Sequence, residues 1–221
     1  MSRTIAILGG TGAEGSGLAL RFAHAGARVL IGSRSLARSQ DVSRRIHPAV
    51  LGLLNPDAAG QAEIVIVTVP IQAQIATLKS VRASLRPGTV LVDATVPMEI
   101  AIGGRLSHPL ALWAGSAAEQ AARNVPEGVA VVSAFHSLSA ELLGALDATI
   151  ESDVLICGDS AEAKGAVSEL VGMLPGAKAI DAGPLENARL LEIAAVLLIS
   201  LNIRHKAKHA GLRITGLEPP R

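Results

Sequence analysis

Short apolar runs alternate with longer stretches of helical spacing along this chain, a pattern that predicts a parallel sheet threaded by crossover helices. The runs place strands near residues 4–9, 28–32, 49–54, 63–68, 89–93 and 129–134, with helices beginning near Gly12, Ser35, Asp57, Gln72 and Ser116. The fold class is therefore α/β, a doubly wound and mostly parallel sheet. Pro70 stops the fourth run, Asp93-Ala94-Thr95-Val96-Pro97 ends the fifth and Ser133 to Ser139 ends the sixth. All three loops then lie at the carboxyl edge of the sheet, where ligands bind in open α/β folds.

Beyond residue 140 the pattern continues on a smaller scale, with strands near 153–158 and 177–181 around a helix from about 160 to 173. The chain divides on this reading into a ligand-binding domain over residues 1–140 and a small C-terminal extension over 141–221, appended to the same sheet and expected to form part of the site for the second substrate and an interface between copies. Gly183-Pro184-Leu185 leads into a helix from about Glu186, apolar on nearly every face between Leu190 and Leu201. Such a helix is expected to be buried. A chain of this size offers limited interior, so burial against a second copy in a homodimer is favoured over burial within one chain. The basic segment Arg204 to His209 reads as the solvated end of that helix.

The most informative segment opens the chain. Ile5-Ala6-Ile7-Leu8-Gly9-Gly10-Thr11-Gly12-Ala13-Glu14-Gly15 runs an apolar strand into G-x-G-x-x-G and then into a helix. In that context the glycines mark a Rossmann dinucleotide site: Gly10 for the tight turn, Gly12 for approach of a pyrophosphate, Gly15 for close helix and strand packing. The end of the second strand selects the nucleotide. NAD-binding chains carry a carboxylate there for the ribose 2′-hydroxyl, whereas this one reads Gly32-Ser33-Arg34, with Arg38 a turn further on. A hydroxyl and two guanidinium groups suit a 2′-phosphate, so NADP(H) is the expected cofactor.

Composition narrows the remaining choices. A net charge of +1 implies neither nucleic acid nor an anionic membrane as partner. The longest apolar run, Ile193 to Ile199, falls far short of the roughly 18 residues of a spanning helix. The first strand begins almost at once, which leaves no room for a signal peptide and points to the cytoplasm. Phe22, Trp113 and Phe135 are the only aromatic residues and there is no tyrosine, which counts against a Tyr-based short-chain dehydrogenase and against stacking platforms for single strands. Cys157, alone and flanked by apolar residues, reads as a buried structural thiol.

His136, at the mouth of the sixth strand, is the sharpest catalytic candidate, placed to donate a hydrogen bond to a substrate carbonyl or to steady charge developing on it. The other histidines lack ligand spacing, so no metal site is expected. No Ser-His-Asp order can be assembled, and no paired carboxylates flank an obvious cleft. Scarce acid–base machinery fits hydride transfer, in which the cofactor and its acceptor carry the reactivity. The residues do not separate a flavin, a pterin or a ferric chelate as the small-molecule acceptor, and they leave open a non-catalytic NADP(H) sensor.

Nearly the whole chain resembles the NADPH-dependent coenzyme F420 reductases. The likeness rests on Gly9 to Ala19, Gly32-Ser33-Arg34, Thr68-Val69-Pro70, Val132 to His136, Cys157-Gly158-Asp159, Asp181 to Arg189 and Gly211 to Leu217. The resemblance implies a hydride passing between NADPH and the deazaflavin of F420. It also implies that Gly10, Thr11, Gly12, Ala13, Glu14 and Gly15 line the pyrophosphate, that Ser33, Arg34 and Arg38 hold the 2′-phosphate, and that Val69, Pro70 and Ala134 flank the nucleotide. His136, Ser137, Leu138, Ser139 and Asn187 would face the acceptor, with the backbone N–H groups of Ser137 and Leu138 serving its pyrimidine ring. Two departures, Ile71 in place of an aromatic residue and Glu186-Asn187-Ala188 in place of a Ser-rich run, imply an acceptor pocket of altered shape.

Overall fold

A computed structural model describes residues 3–217. Eight strands form one sheet: β1 (Thr4–Leu8), β2 (Arg28–Ser33), β3 (Val50–Leu54), β4 (Ile64–Val67), β5 (Val90–Asp93), β6 (Ala130–Ser133), β7 (Asp153–Gly158) and β8 (Lys178–Asp181). Their spatial order is β3-β2-β1-β4-β5-β6-β7-β8, with the topological switch between β1 and β4. The first six are mutually parallel, β7 turns antiparallel to β6 through Val132 with Gly158 and Ser133 with Cys157, and β8 runs parallel to β7. The extension thus continues the sheet of the nucleotide-binding part.

The helices are α1 (Ala13–His24), α2 (Leu36–Ile46), α3 (Asn55–Gly60), α4 (Ile71–Val81), α5 (Ala117–Ala122), α6 (Ala140–Gly144), α7 (Ala161–Gly172) and α8 (Ala188–His205). Alternate strand residues point to opposite faces, so the central strands feed two cores. Ile5, Ile7, Ile64, Ile66, Val90 and Val92 pack with Leu18 and Phe22 of α1 and with Val167 and Leu170 of α7. Ala6, Leu8, Val65, Val67 and Leu91 pack with Leu78 of α4, Ala118 of α5 and Ala188 of α8. Burial on both faces accounts for the unbroken Val, Ile and Leu runs of the inner strands.

The helix expected to be apolar all round is α8, and it is not buried all round. Leu191, Glu192, Ala195, Val196 and Leu198 face the protein, whereas Leu190 (60% exposed), Ile193 (50%) and Leu197 (56%) form a bare stripe. With β7 and β8 lying at the sheet edge, the chain has no further layer to cover that side. After α8 the chain doubles back as a strap. Ser152 and Asp153, at the start of β7, hold it: the Ser152 hydroxyl accepts from Leu212 N–H at 3.1 Å, and the Asp153 carboxylate takes Ile214 N–H at 2.7 Å and Arg213 at 2.9 Å.

Candidate active site

The site begins at the end of β1, where the chain must turn within a few residues. Gly9 holds φ +85°, so the left-handed position falls one residue before the first motif glycine, and not at Gly10 as the pattern suggests. Gly10 is required for a different reason: a Cβ there would stand 2.7 Å from Cβ of Ile31. At Gly15 a Cβ would meet Thr68 Oγ1 at 2.6 Å, which lets α1 settle against the end of β4. Gly12 is the N-cap of α1, with no capping side chain and only its own loop within 4 Å. The first-turn N–H groups therefore face open space, the arrangement that receives an anion.

Three strand ends converge on this turn, as the loop positions predict. A crevice of about 500 Å³ is lined by Glu14 of α1, by Thr68, Val69 and Pro70 after β4, by Ala94 to Val96 after β5, and by His136 to Glu141 after β6. The C-terminal extension supplies a further wall, through Ala195, Leu198, Ile199 and Asn202 of α8 and Lys208 and Ala210 of the strap, residues that the sequence pattern did not single out. The available signal was Asn202, a polar residue in helical register with that apolar face.

His136 owes its position to a strained residue. Phe135 has φ +73°, a value bulky side chains rarely adopt, and its buried ring packs edge-on against Phe22 with centroids 6.2 Å apart. The ring anchors the turn, and the turn directs the next side chain into the crevice. Both imidazole nitrogens of His136 are buried without a hydrogen-bond partner. Burial pushes its pKa down to about 4, so the ring is neutral at physiological pH, with one donor and one acceptor for a ligand to satisfy.

Other expected acceptor residues are occupied elsewhere. The Leu138 N–H donates to Phe135 C=O at 3.1 Å, closing the turn, so it is not free to serve an acceptor ring. Ser139 caps α6, accepting from Leu142 N–H at 3.4 Å, and donates to Lys208 C=O at 3.1 Å, which ties the strap to the crevice rim. The Ser137 hydroxyl donates to Asp153 C=O at 3.3 Å. Asn187 sits at the start of α8 with its amide donated to Ala182 C=O at 2.8 Å, outside the crevice wall. Ala134 is fully buried and Thr11 half-buried. Ser33 closes β2 with its hydroxyl accepting from Ser35 N–H at 3.2 Å, and Arg34 and Arg38 stand exposed beside it. Among the described residues neither guanidinium has a carboxylate within ion-pair distance. Cys157 is buried, and burial raises its thiol to about 11, too high for a nucleophile at neutral pH.

The expectation that no carboxylates gather at a cleft is overturned. Glu14 lines the crevice, Asp93 lies buried at the end of β5 close enough to repel it, and Asp93 in turn repels buried Glu192 of α8. These residues belong to three distant stretches of sequence, so no local spacing announces them. Burial is the largest cause raising all three: to about 8 for Glu14, about 7 for Asp93 and about 8 for Glu192. Hydrogen bonds oppose that rise at Asp93, from Gln74 Nε2 at 2.7 Å and Thr95 N–H at 3.1 Å, and at Glu192, from Ala117 N–H at 2.8 Å and Ala118 N–H at 3.3 Å.

A sequence family described as NADP oxidoreductase, coenzyme F420-dependent, matches residues 4–97. The F420-dependent NADP reductase of Methanothermobacter thermautotrophicus is 44% identical over 98% of this chain and 97% of its own length. That of Methanocaldococcus jannaschii is 39% identical over 97% and 99%. A crystal structure from an Arthrobacter species, provisionally described as an F420-dependent NADP reductase, superposes with TM-score 0.84 at 26% identity, covering 97% of this chain and all of that one.

Proposed function

Because this chain belongs to the F420-dependent NADP reductases, an oxidoreductase family working between NADP(H) and coenzyme F420, we propose how its own residues carry the hydride transfer. When bound, NADP(H) and the deazaflavin would supply the hydride chemistry between them, which leaves the protein the task of alignment and exclusion of water. The residues fit that load. The uncapped first turn of α1 beside Gly12 suits the pyrophosphate, and the unpaired Arg34 and Arg38 suit the 2′-phosphate. His136 is the observation that carries the ring end of the reading. Its buried nitrogens, unpartnered in a crevice walled by Val69, Pro70, Ala195 and Leu198, call for a flat ligand with polar edges. As a neutral donor it would hydrogen-bond a ring carbonyl on which negative charge grows during transfer.

An anaerobic absorbance assay tests the reading, offering NADPH with F420, FMN and FAD in turn. Bleaching of the deazaflavin with turnover, at least ~100-fold faster than with either flavin, is expected; turnover of a flavin alone would replace the acceptor.

The stripe Leu190, Ile193 and Leu197 supports a homodimer, since apolar side chains half exposed at helical spacing gain most from a matching copy. Ile100, Ile102 and the fully exposed Trp113, in the loop after β5, add apolar surface to the same molecule. Light scattering is expected to give twice the chain mass for the native protein and the single mass for Ile193→Glu with Leu197→Glu. A native protein that elutes as a monomer removes the dimer. We place the reaction in the cytoplasm, a reading supported by the one free and buried thiol. No helix among the described residues is long and apolar enough to cross a membrane.

A further inference from the structure

Glu14 is the one member of the carboxylate cluster that nothing satisfies. Asp93 and Glu192 each accept two or more hydrogen bonds from donors fixed by the fold, which oppose the rise that burial imposes on them. Oε1 of Glu14 is buried with no partner at all, in the wall of the crevice. Two carboxylates that repel each other in a low-dielectric site retain a proton between them, and it rests on the one without donors. Among the described residues no unpaired cation lines the crevice to compete for it. The remaining titratable groups of the crevice are His136 after β6, held neutral by burial, Glu141 of α6, and Lys208 of the strap, whose Nζ is paired with Glu141 at 3.1 Å. Behind Asp93 stands Glu192 of α8, another acid.

Glu14 is also misplaced for the pyrophosphate role that its position in the glycine loop implies. A carboxylate beside a diphosphate would be repelled, whereas the side chain opens on the space shared with Thr68, Ala94, Thr95 and His136, the ring end of the crevice. We propose that Glu14 carries a proton when the nucleotide is bound and donates it in a hydrogen bond to the amide carbonyl of the nicotinamide, so that NADP(H) binding is coupled to one proton. This rests on the crevice being the NADP(H) site. It assigns to this residue a positioning role, since a ring fixed by its carboxamide cannot rotate away from the acceptor.

The sign follows from the acid's elevated value of about 8 in the free protein. Below it Glu14 is neutral and donates; above it the nucleotide, which brings negative charge and drives out water, must first recover a proton. Affinity for NADP is therefore level up to about pH 8 and falls at higher pH, roughly tenfold weaker at pH 9 than at pH 7 for a single proton. At pH 8, calorimetry in two buffers of different ionisation enthalpy is expected to record uptake of about half a proton per NADP bound. Glu14→Gln keeps a donor that does not titrate, and its NADP affinity is expected to change less than ~2-fold over the same range, without proton uptake. The 2′-phosphate analogue of ADP-ribose, which lacks the nicotinamide, is expected to bind without the coupling.

Equal proton uptake in Glu14→Gln, or none in the native protein, overturns the proposal, and so does equal coupling with the ring-less analogue. Should the variant not fold, the native protein in two buffers still decides. Failure of the native protein to bind NADP at pH 7 would instead remove the nucleotide site itself, a result distinct from binding without a proton.

Discussion

Arg34→Asp is expected to weaken NADPH binding by about 100-fold while NADH binding changes by no more than a few fold. A guanidinium on a phosphate forms charge-assisted hydrogen bonds worth about 1.5–3 kcal/mol. Reversing the charge adds repulsion on the order of 1 kcal/mol at an exposed site, and together these reach two orders of magnitude. Geometry favours the full effect. Ser35 caps α2, accepting from Arg38 N–H at 3.4 Å, and this fixes the helix start that carries Arg38 beside Arg34, which follows β2 directly. Neither guanidinium must leave an ion pair before it takes the phosphate, since none is formed among the described residues. NADH has no 2′-phosphate to lose, and the new carboxylate can accept from its ribose hydroxyl. Titration calorimetry with both nucleotides decides the matter; equal losses would show that the arginines do not read the 2′-phosphate.

Arg21→Met is expected to cost about 3–5 kcal/mol of stability, out of the roughly 5–15 kcal/mol typical of a folded protein. Arg21 is almost fully buried in α1, and its guanidinium donates to four backbone carbonyls at the far end of α6: Leu143 at 3.0 Å, Leu142 at 2.8 Å, Ala148 at 2.9 Å and Ala145. Burial depresses its pKa, a pull partly opposed by the nearby Asp147 charge. A positive group at a helix C-terminus is favourable, and it adds to the N–H groups of Ala145 and Ala148, which donate to Leu142 C=O and Ala145 C=O. Gly17 lets α6 come this close, because a Cβ there would lie 2.6 Å from Cβ of Leu143. Together with the ties from Ser137 to Asp153 and from Ser139 to Lys208, this side chain holds the segment from His136 to Ala148. Local loosening is expected first, so KM for the acceptor should rise before NADP affinity falls. Denaturant unfolding monitored with both binding assays tests this, and a stability within about 1 kcal/mol of the native value would refute it.

Strand positions and crevice loops were legible because buried parallel strands require uninterrupted apolar runs, and loops that end at the carboxyl edge carry Pro, Asp or Ser. The NADP reading was equally local, since the glycine turn and the Ser33-Arg34 pair each lie within a few residues. Detail within the turns was not legible. The positive φ belongs to Gly9, because the turn starts as soon as β1 leaves its ladder with β2, and Leu138 spends its N–H on the Phe135 turn.

Arg21 illustrates what could not be read. In sequence it is an ordinary helix arginine in Leu18-Ala19-Leu20-Arg21-Phe22, and only the approach of α6 makes it structural. Asn187 shows the reverse, a polar residue within a recognisable block that the fold turns to capping its own loop.

Sequence by itself determined the strands, every long helix and the nucleotide turn with its NADP(H) character, since each depends on residues adjacent along the chain; the short α6 escaped it. Tertiary structure decided which acids meet at the crevice, that His136 is a neutral group, and that one face of α8 is left bare. The reason is physical. Burial and the repulsion between Glu14, Asp93 and Glu192 depend on distance through space and on excluded water, and neither quantity exists until α1, β5 and α8 have packed together.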